Sequence, residues 1–222
     1  MDWQALSVSI WLGLGTLVVL LPVGIALGHV LATHHFRGRG LIEALVAVPL
    51  VLPPTVLGYY LLSAFSVRSP LGAAFEHVAG QALAFSFPGL LLASAIANIP
   101  FVVQPIQRGF EAVPPDVREA GACCGLTPWQ RFLRIEVPLA WPAIVTAAIL
   151  AFAHTLGEFG VVLMVGGNIP GTTRTMSIAI YDRMQAFDDR AAGLMAATLT
   201  VLAVSALVVT TVLSRRVGRR RG

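Results

Sequence analysis

The sequence predicts an all-α membrane protein of about five transmembrane helices, and three observations carry that prediction. Apolar residues fill 56% of the 222 positions and charged residues 12%, with a mean hydropathy of +0.80, far from the balance of a water-soluble domain. The charges separate long uncharged stretches, the first lying between Asp2 and Arg37. All 15 basic residues are arginine, and they flank the apolar stretches instead of forming one soluble basic face. Membrane lipid is therefore the expected surroundings, and no nucleic-acid partner is expected. The absence of lysine also excludes a Walker A loop, so this chain does not carry ATP chemistry of that common class.

The first span covers residues 6–32, longer than the roughly 20 helical residues a bilayer core requires. It has neither a basic start nor an evident small-residue cleavage site, so it is not read as a removable leader. Gly24 and Gly28 form a small-xxx-small pair that can seat a neighbouring helix, and His29 reads as a polar packing residue near the span's end. After the turn HHFRGRG, a second span covers residues 42–66. Within it Pro49, Pro53 and Pro54 remove backbone donors and, with the flexible Gly58, must bend or break the helix. Such breaks at membrane depth survive only where protein or water satisfies the freed carbonyls, and they often mark a substrate path. Pro53, Pro54 and Thr55 are accordingly candidate pathway or gate residues, the alternative being a kink used only for packing.

Residues 68–76 read as a short polar connection, and a third span covers residues 88–107. Asn98 and Gln104 inside it must be hidden from lipid, by helix–helix hydrogen bonds or by a wet cavity. The fourth span covers residues 139–165 and holds Glu158 in the run GEFG, with His154 four residues earlier on the same helical face. A carboxylate there must face the bundle interior or water. It can bond His154, act in a gate, or supply half of a metal site. Two ligands without a third make a poor metal site. Glu158 is therefore read as a structural or gating group. Residues 166–175, GGNIPGTTRT, form a loop, then a short amphipathic helix covers residues 176–187 and a fifth span residues 191–214.

Orientation follows from the arginines. With a cytoplasmic tail, five spans place the N-terminus outside. Arg37, Arg39, Arg108, Arg118, Arg131, Arg134, Arg215, Arg216, Arg219, Arg220 and Arg221 then lie inside, 11 in all, against Arg68, Arg174, Arg183 and Arg190 outside. The positive-inside rule is satisfied.

The longest charged interruption, residues 111–138, falls on the cytoplasmic side. Pro114 and Pro115 precede Asp116, which is placed to N-cap a short helix with Glu119 completing a capping box. Gly125 suits a left-handed position just past that helix. Thr127, Pro128 and Gln130 repeat the start signal for a second short helix. Helices this short persist only when packed on something else, so a partner is implied. The adjacent Cys123 and Cys124 lack metal-ligand spacing and read as small packing residues in a reducing compartment.

Glu119, Ala120, Gly121, Gly125, Ile135 and Pro138 follow the EAA pattern of ABC importer permeases, with Gly121 where alanine is usual and Val137 where leucine is usual. In that family the segment is the coupling helix seated in a cleft of the ATPase. The runs PLVLPPTVLGYYLL, GEFG and GGNIPGTTRT are further similar to permeases for molybdate and related oxyanions. The resemblance implies a type I ABC importer permease fold forming one domain over residues 1–222. It implies a second copy of the chain, two cytoplasmic ABC ATPase subunits that hold ATP and Mg, an extracytoplasmic oxyanion-binding protein, and a prokaryotic cytoplasmic membrane. No cofactor is expected on this chain itself. The cargo would be molybdate or tungstate, with sulfate as the alternative. Asn168, Gly171, Thr173 and Arg174 form a candidate outer-mouth loop, since amides, hydroxyls and a guanidinium favour an oxyanion; a turn that carries the binding protein is the other reading. A secondary transporter would not need the capped cytoplasmic helix pair. An intramembrane enzyme has little material here, because no HExxH or GxSxG motif occurs.

Overall fold

The computed structural model describes residues 1–219, with side chains through residue 206 and at 208. The tail arginines of the topology count and the end of the fifth expected span lie outside the described side chains. Every regular element among the described residues is helical.

Helix α1 (Trp3–Thr33) starts on Asp2, whose side chain accepts the Ala5 N–H at 2.9 Å. It lies along α5 (Phe87–Glu111), and α8 (Val137–Gly157) packs on both. Leu20, Val102, Ile106, Phe110, Ile144 and Ala147 form the core of this three-helix unit. The two glycines of α1 set the approach. A Cβ on Gly24 would overlap the Val102 side chain, and one on Gly28 would stand 2.9 Å from Ile106. Small residues at such a crossing let two helices in lipid come close enough for dispersion to hold them.

Helices α2 (Arg39–Val51) and α3 (Pro54–Phe65) meet at 109°, so the second expected span is a broken one. Pro53 and Pro54 supply no N–H to continue α2, and Pro54 instead opens α3 at the first helical position, where a missing donor costs nothing. Residues 68–76, expected as a connection, belong largely to a helix, α4 (Pro70–Ala79). Ser69 caps it by accepting the Gly72 N–H at 2.9 Å, a signal the polar composition concealed.

After α5 come α6 (Pro115–Cys123) and α7 (Pro128–Arg131). The second short helix does not stand alone. It runs through a π turn (Phe132–Glu136) directly into α8, giving one apolar helix over Pro128–Gly157. Pro138 crowds the carbonyl four residues before it, and the wider turn just ahead is where the helix absorbs that misfit. The fourth expected span, residues 139–165, is likewise interrupted. It ends at Gly157, and α9 (Gly160–Gly166) follows at a new angle against α3 and α5. Helix α10 (Met176–Gln185) falls inside the expected amphipathic stretch, and α11 (Asp189–Arg219) ends the described chain.

Among the described residues, four helices are long and apolar enough to cross a membrane, or five if the bent α2–α3 pair is one span. Val18, Val51, Tyr60 and Val201 are exposed, as befits a surface that meets lipid or another chain. Replacing Gly24 by leucine should cost about 1–3 kcal/mol through overpacking of α1 on α5. The expected result is a lower melting temperature in detergent, while Gly40→Ala, with nothing within 4 Å of its Cβ position, leaves melting unchanged.

Candidate functional site

Two regions concentrate the residues singled out by the sequence. The first is the charged segment of residues 111–138. Helix α6 begins two residues earlier than expected, at Pro115, so the N-cap falls on Pro114 and no side chain caps the helix. Asp116 sits in the first turn and faces the positive end of the helix dipole instead of capping it. The expected capping box with Glu119 is absent because the proline takes the first helical position. At the other end the chain closes in a Schellman motif. Gly125 has φ +78°, its N–H donates to Ala122 O at 2.9 Å, and the Leu126 N–H donates to Gly121 O at 3.1 Å. Thr127 and Gln130 then form a complete capping box.

Gly121 is the one buried residue of α6, and its Cα lies against Ile135, whose Cδ1 would stand 2.6 Å from an added Cβ. That approach accounts for glycine in place of the usual alanine. Glu119 and Ala120 are exposed, and so are Cys123 and Cys124, which corrects their reading as packing residues. Pro138 stands in the first turn of α8.

Three polar side chains join this segment to the bundle, and the sequence reading did not group them. Glu136 is buried, 2.6 Å from His29 Nε2 on α1 and 3.5 Å from Arg118 Nε on α6. Arg118 also donates to the carbonyl of Phe110 at the end of α5.

The second region is where the two broken helices meet. Pro54 at the start of α3 packs on Gly160 at the start of α9, and Gly58 packs on Met164 and Val161. Thr55 is exposed beside this contact. Glu158 sits in the break, buried, and its Oε1 accepts the Val161 N–H at 3.2 Å. Its Oε2 stands 3.6 Å from His154 Nε2, and its carbonyl accepts from Ser177 Oγ at 2.7 Å. The ring of His154 stacks on Phe101 and bonds Asn98 Oδ1 at 3.2 Å. Asn98 is fully buried and donates to Ser94 O at 2.8 Å and Thr155 Oγ1 at 3.1 Å, while Thr16 Oγ1 donates to Ser94 Oγ at 3.0 Å. One polar chain therefore links α1, α5, α8 and the break that carries Glu158. The sequence pointed to Asn98, His154 and Glu158 and missed Thr16, Ser94 and Thr155, which give no local signal in an apolar helix.

A groove of about 570 Å³ runs between α2, α5 and α8, with Gln104, Arg108 and Thr146 among apolar side chains. Among the described residues no group of three or more His, Cys, Asp or Glu is placed to hold a metal ion.

The loop of residues 166–175 is held by its own bonds. Arg174 donates to Asn168 Oδ1 at 2.6 Å and lies 3.7 Å from Asp182 and 4.0 Å from Asp2. Asn168 donates to Asp182 at 2.9 Å. Thr173 is buried, its hydroxyl given to Gly166 O at 2.6 Å, and Gly171 turns the chain at φ +73°. These side chains are engaged with the protein, whereas Thr172 is exposed.

Comparison with known proteins places this architecture. A family model described as "Binding-protein-dependent transport system inner membrane component" matches residues 21–221, and the chain belongs to this family. It is the membrane permease subunit of an ABC importer and not itself an enzyme. It is 46% identical over 187 residues to the molybdenum transport system permease protein ModB of Azotobacter vinelandii, covering 84% of this chain and 83% of that one. It is 35% identical over 200 residues to the sulfate transport system permease protein CysT of Escherichia coli, covering 89% and 71%. A bacterial alginate ABC transporter solved with its alginate-bound periplasmic protein has a chain of the same fold, with TM-score 0.75, 17% identity, and coverage of 96% and 78%.

The geometry of Gly125 makes a local prediction. A β-branched side chain at φ +78° costs about 1–2 kcal/mol. Gly125→Val should therefore open the α6–α7 turn about tenfold more often and speed trypsin cleavage at Arg131. Unchanged cleavage would show that the left-handed position is not required.

Proposed function

We propose that this chain is the membrane-spanning subunit of a molybdate or tungstate importer, with two copies forming the pathway. Residues 111–138 dock on an ATPase that binds ATP and Mg, and an extracytoplasmic binding protein delivers the anion. The observation that carries the cargo is the 46% identity to a molybdenum permease against 35% to a sulfate permease. The sulfate relative keeps sulfate as a second reading. The exposed Glu119 and Ala120 on a two-turn helix with one buried residue support docking, because so short a helix requires a partner to persist.

In this reading ATP binding closes the ATPase pair, the docking helix carries that movement to α8, and the pathway opens outward. Hydrolysis resets it. Each ligand biases the equilibrium only by its differential affinity for the two states. The anion needs no fixed cationic site in the membrane if selectivity resides in the binding protein, which agrees with the bonded state of Arg174. Pro53, Pro54, Thr55, Asn98 and Glu158 surround the joint between the broken helices and serve as gate elements, with Glu158 holding the joint instead of touching cargo. Residues 168–174 form the outer mouth. The N-terminus is outside, the C-terminus is cytoplasmic, and the membrane is the cytoplasmic membrane of a prokaryote.

The deciding measurement is ATPase activity of the reconstituted importer with molybdate, tungstate or sulfate on the binding protein. Stimulation by molybdate and tungstate with sulfate silent is expected; stimulation by sulfate alone would transfer the chain to the second reading. Orientation is checked by labelling in a background with Cys123 and Cys124 replaced by serine. Arg134→Cys should react from the cytoplasm and the exposed Thr172→Cys from outside. The reverse pattern would overturn the topology.

A further inference from the structure

We infer that Glu136 is a positioning residue that clamps the docking helix to the membrane bundle, so that the two move together during transport. The inference rests on the importer reading and adds to it the joint through which force passes. Glu136 occupies the position between Ile135 and Val137 that the EAA pattern leaves unspecified.

The need for a clamp follows from how little holds α6. Its buried contact is Gly121 against Ile135, an apolar touch across which surfaces can slide. Its polar tie is Arg118. The guanidinium donates to the Phe110 carbonyl on α5, and Nε, buried and without a hydrogen bond, lies at ion-pair distance, 3.5 Å, from Glu136 Oε1. The other carboxylate oxygen meets His29 Nε2 at 2.6 Å. The His29 ring is held edge-on by Phe110 at 5.1 Å and Phe132 at 4.7 Å. One carboxylate thus faces α6 on one side and α1 on the other, and its own backbone leads straight into α8.

Such a joint resists separation in a way an apolar contact does not. Pulling α6 away would take the Arg118 guanidinium from the buried Glu136 carboxylate and leave it only the His29 ring, a costly loss in a low-dielectric site. Oε1 holds Arg118 of α6 while Oε2 holds His29 of α1, so α6 cannot lift off the bundle without breaking a contact. A displacement imposed on α6 is passed to α1, α5 and α8 together.

The test uses the whole importer in liposomes, with its ATPase and binding protein, and reads labelled molybdate and sulfate moved per ATP hydrolysed. Glu136→Gln keeps the shape and removes the charge; it should lower that ratio about tenfold, within the usual range of coupling between sites. Arg118→Met should do the same, and Arg118→Lys, which keeps the charge, should stay within about threefold of the unaltered importer. If Glu136→Gln does not assemble, the Arg118 pair decides, since that side chain stands on the largely exposed helix. A normal ratio in Glu136→Gln or Arg118→Met, or equal losses in Arg118→Met and Arg118→Lys, would overturn the clamp and leave the importer reading standing. An unaltered chain that neither retains the ATPase nor moves either anion would overturn both.

Discussion

A helix broken inside a bilayer frees backbone groups that lipid cannot satisfy, and the architecture of this protein answers that constraint. Two breaks, one at residues 52–54 and one at 158–160, face each other and share the solution. At the first, prolines remove the donors that would have gone unpaired. At the second, the Glu158 carboxylate takes the Val161 N–H, and Ser177 donates to the Glu158 carbonyl. The far end of α9 is closed by the Phe85 N–H on Val165 O at 2.9 Å. Gly58 and Gly160 let the two bent segments touch backbone to backbone. Helices α5 and α8 are tied to this joint through Asn98 and His154.

Much of the fold was legible because its signals are local. Uncharged runs marked the spans, Gly24 and Gly28 marked a close crossing, and prolines marked the first break. Thr127 with Gln130 and the left-handed Gly125 were readable because a cap or a turn is decided within a few residues. The errors were also local, where two signals competed. Pro115 displaced Asp116 from the cap, and the composition of residues 68–76 hid a helix begun by Ser69. The glycines around Glu158 signalled a break that the apolar run on either side disguised as one span.

The site was less legible, since its contacts join distant parts of the chain. His29 and Glu136 are 107 positions apart, and nothing near either names the other. Thr16, Ser94 and Thr155 look like ordinary small residues until three helices bring their hydroxyls together. Composition does not tell which side chains of the loop of residues 166–175 are already engaged. Its threonine and arginine suggested an anion, yet Thr173 is spent on a carbonyl and Arg174 on Asn168 and two aspartates. Exposure corrected the cysteines: the two small apolar residues at the end of α6 are surface, not core.

The π turn at Phe132–Glu136 makes the angular setting of α6 a matter of residue counting. A π turn is an α-helix carrying one residue too many, and each residue of an α-helix advances about 100° around its axis. Deleting a single residue here would restore regular hydrogen bonding, yet rotate everything before it by more than a quarter turn relative to α8. Gly121 would then lose Ile135, and Glu119 would point elsewhere. The spacing of nine residues between Gly125 and Ile135 is thus a phase as well as a length, and insertions or deletions in it would be expected to change which face of α6 turns away from the bundle.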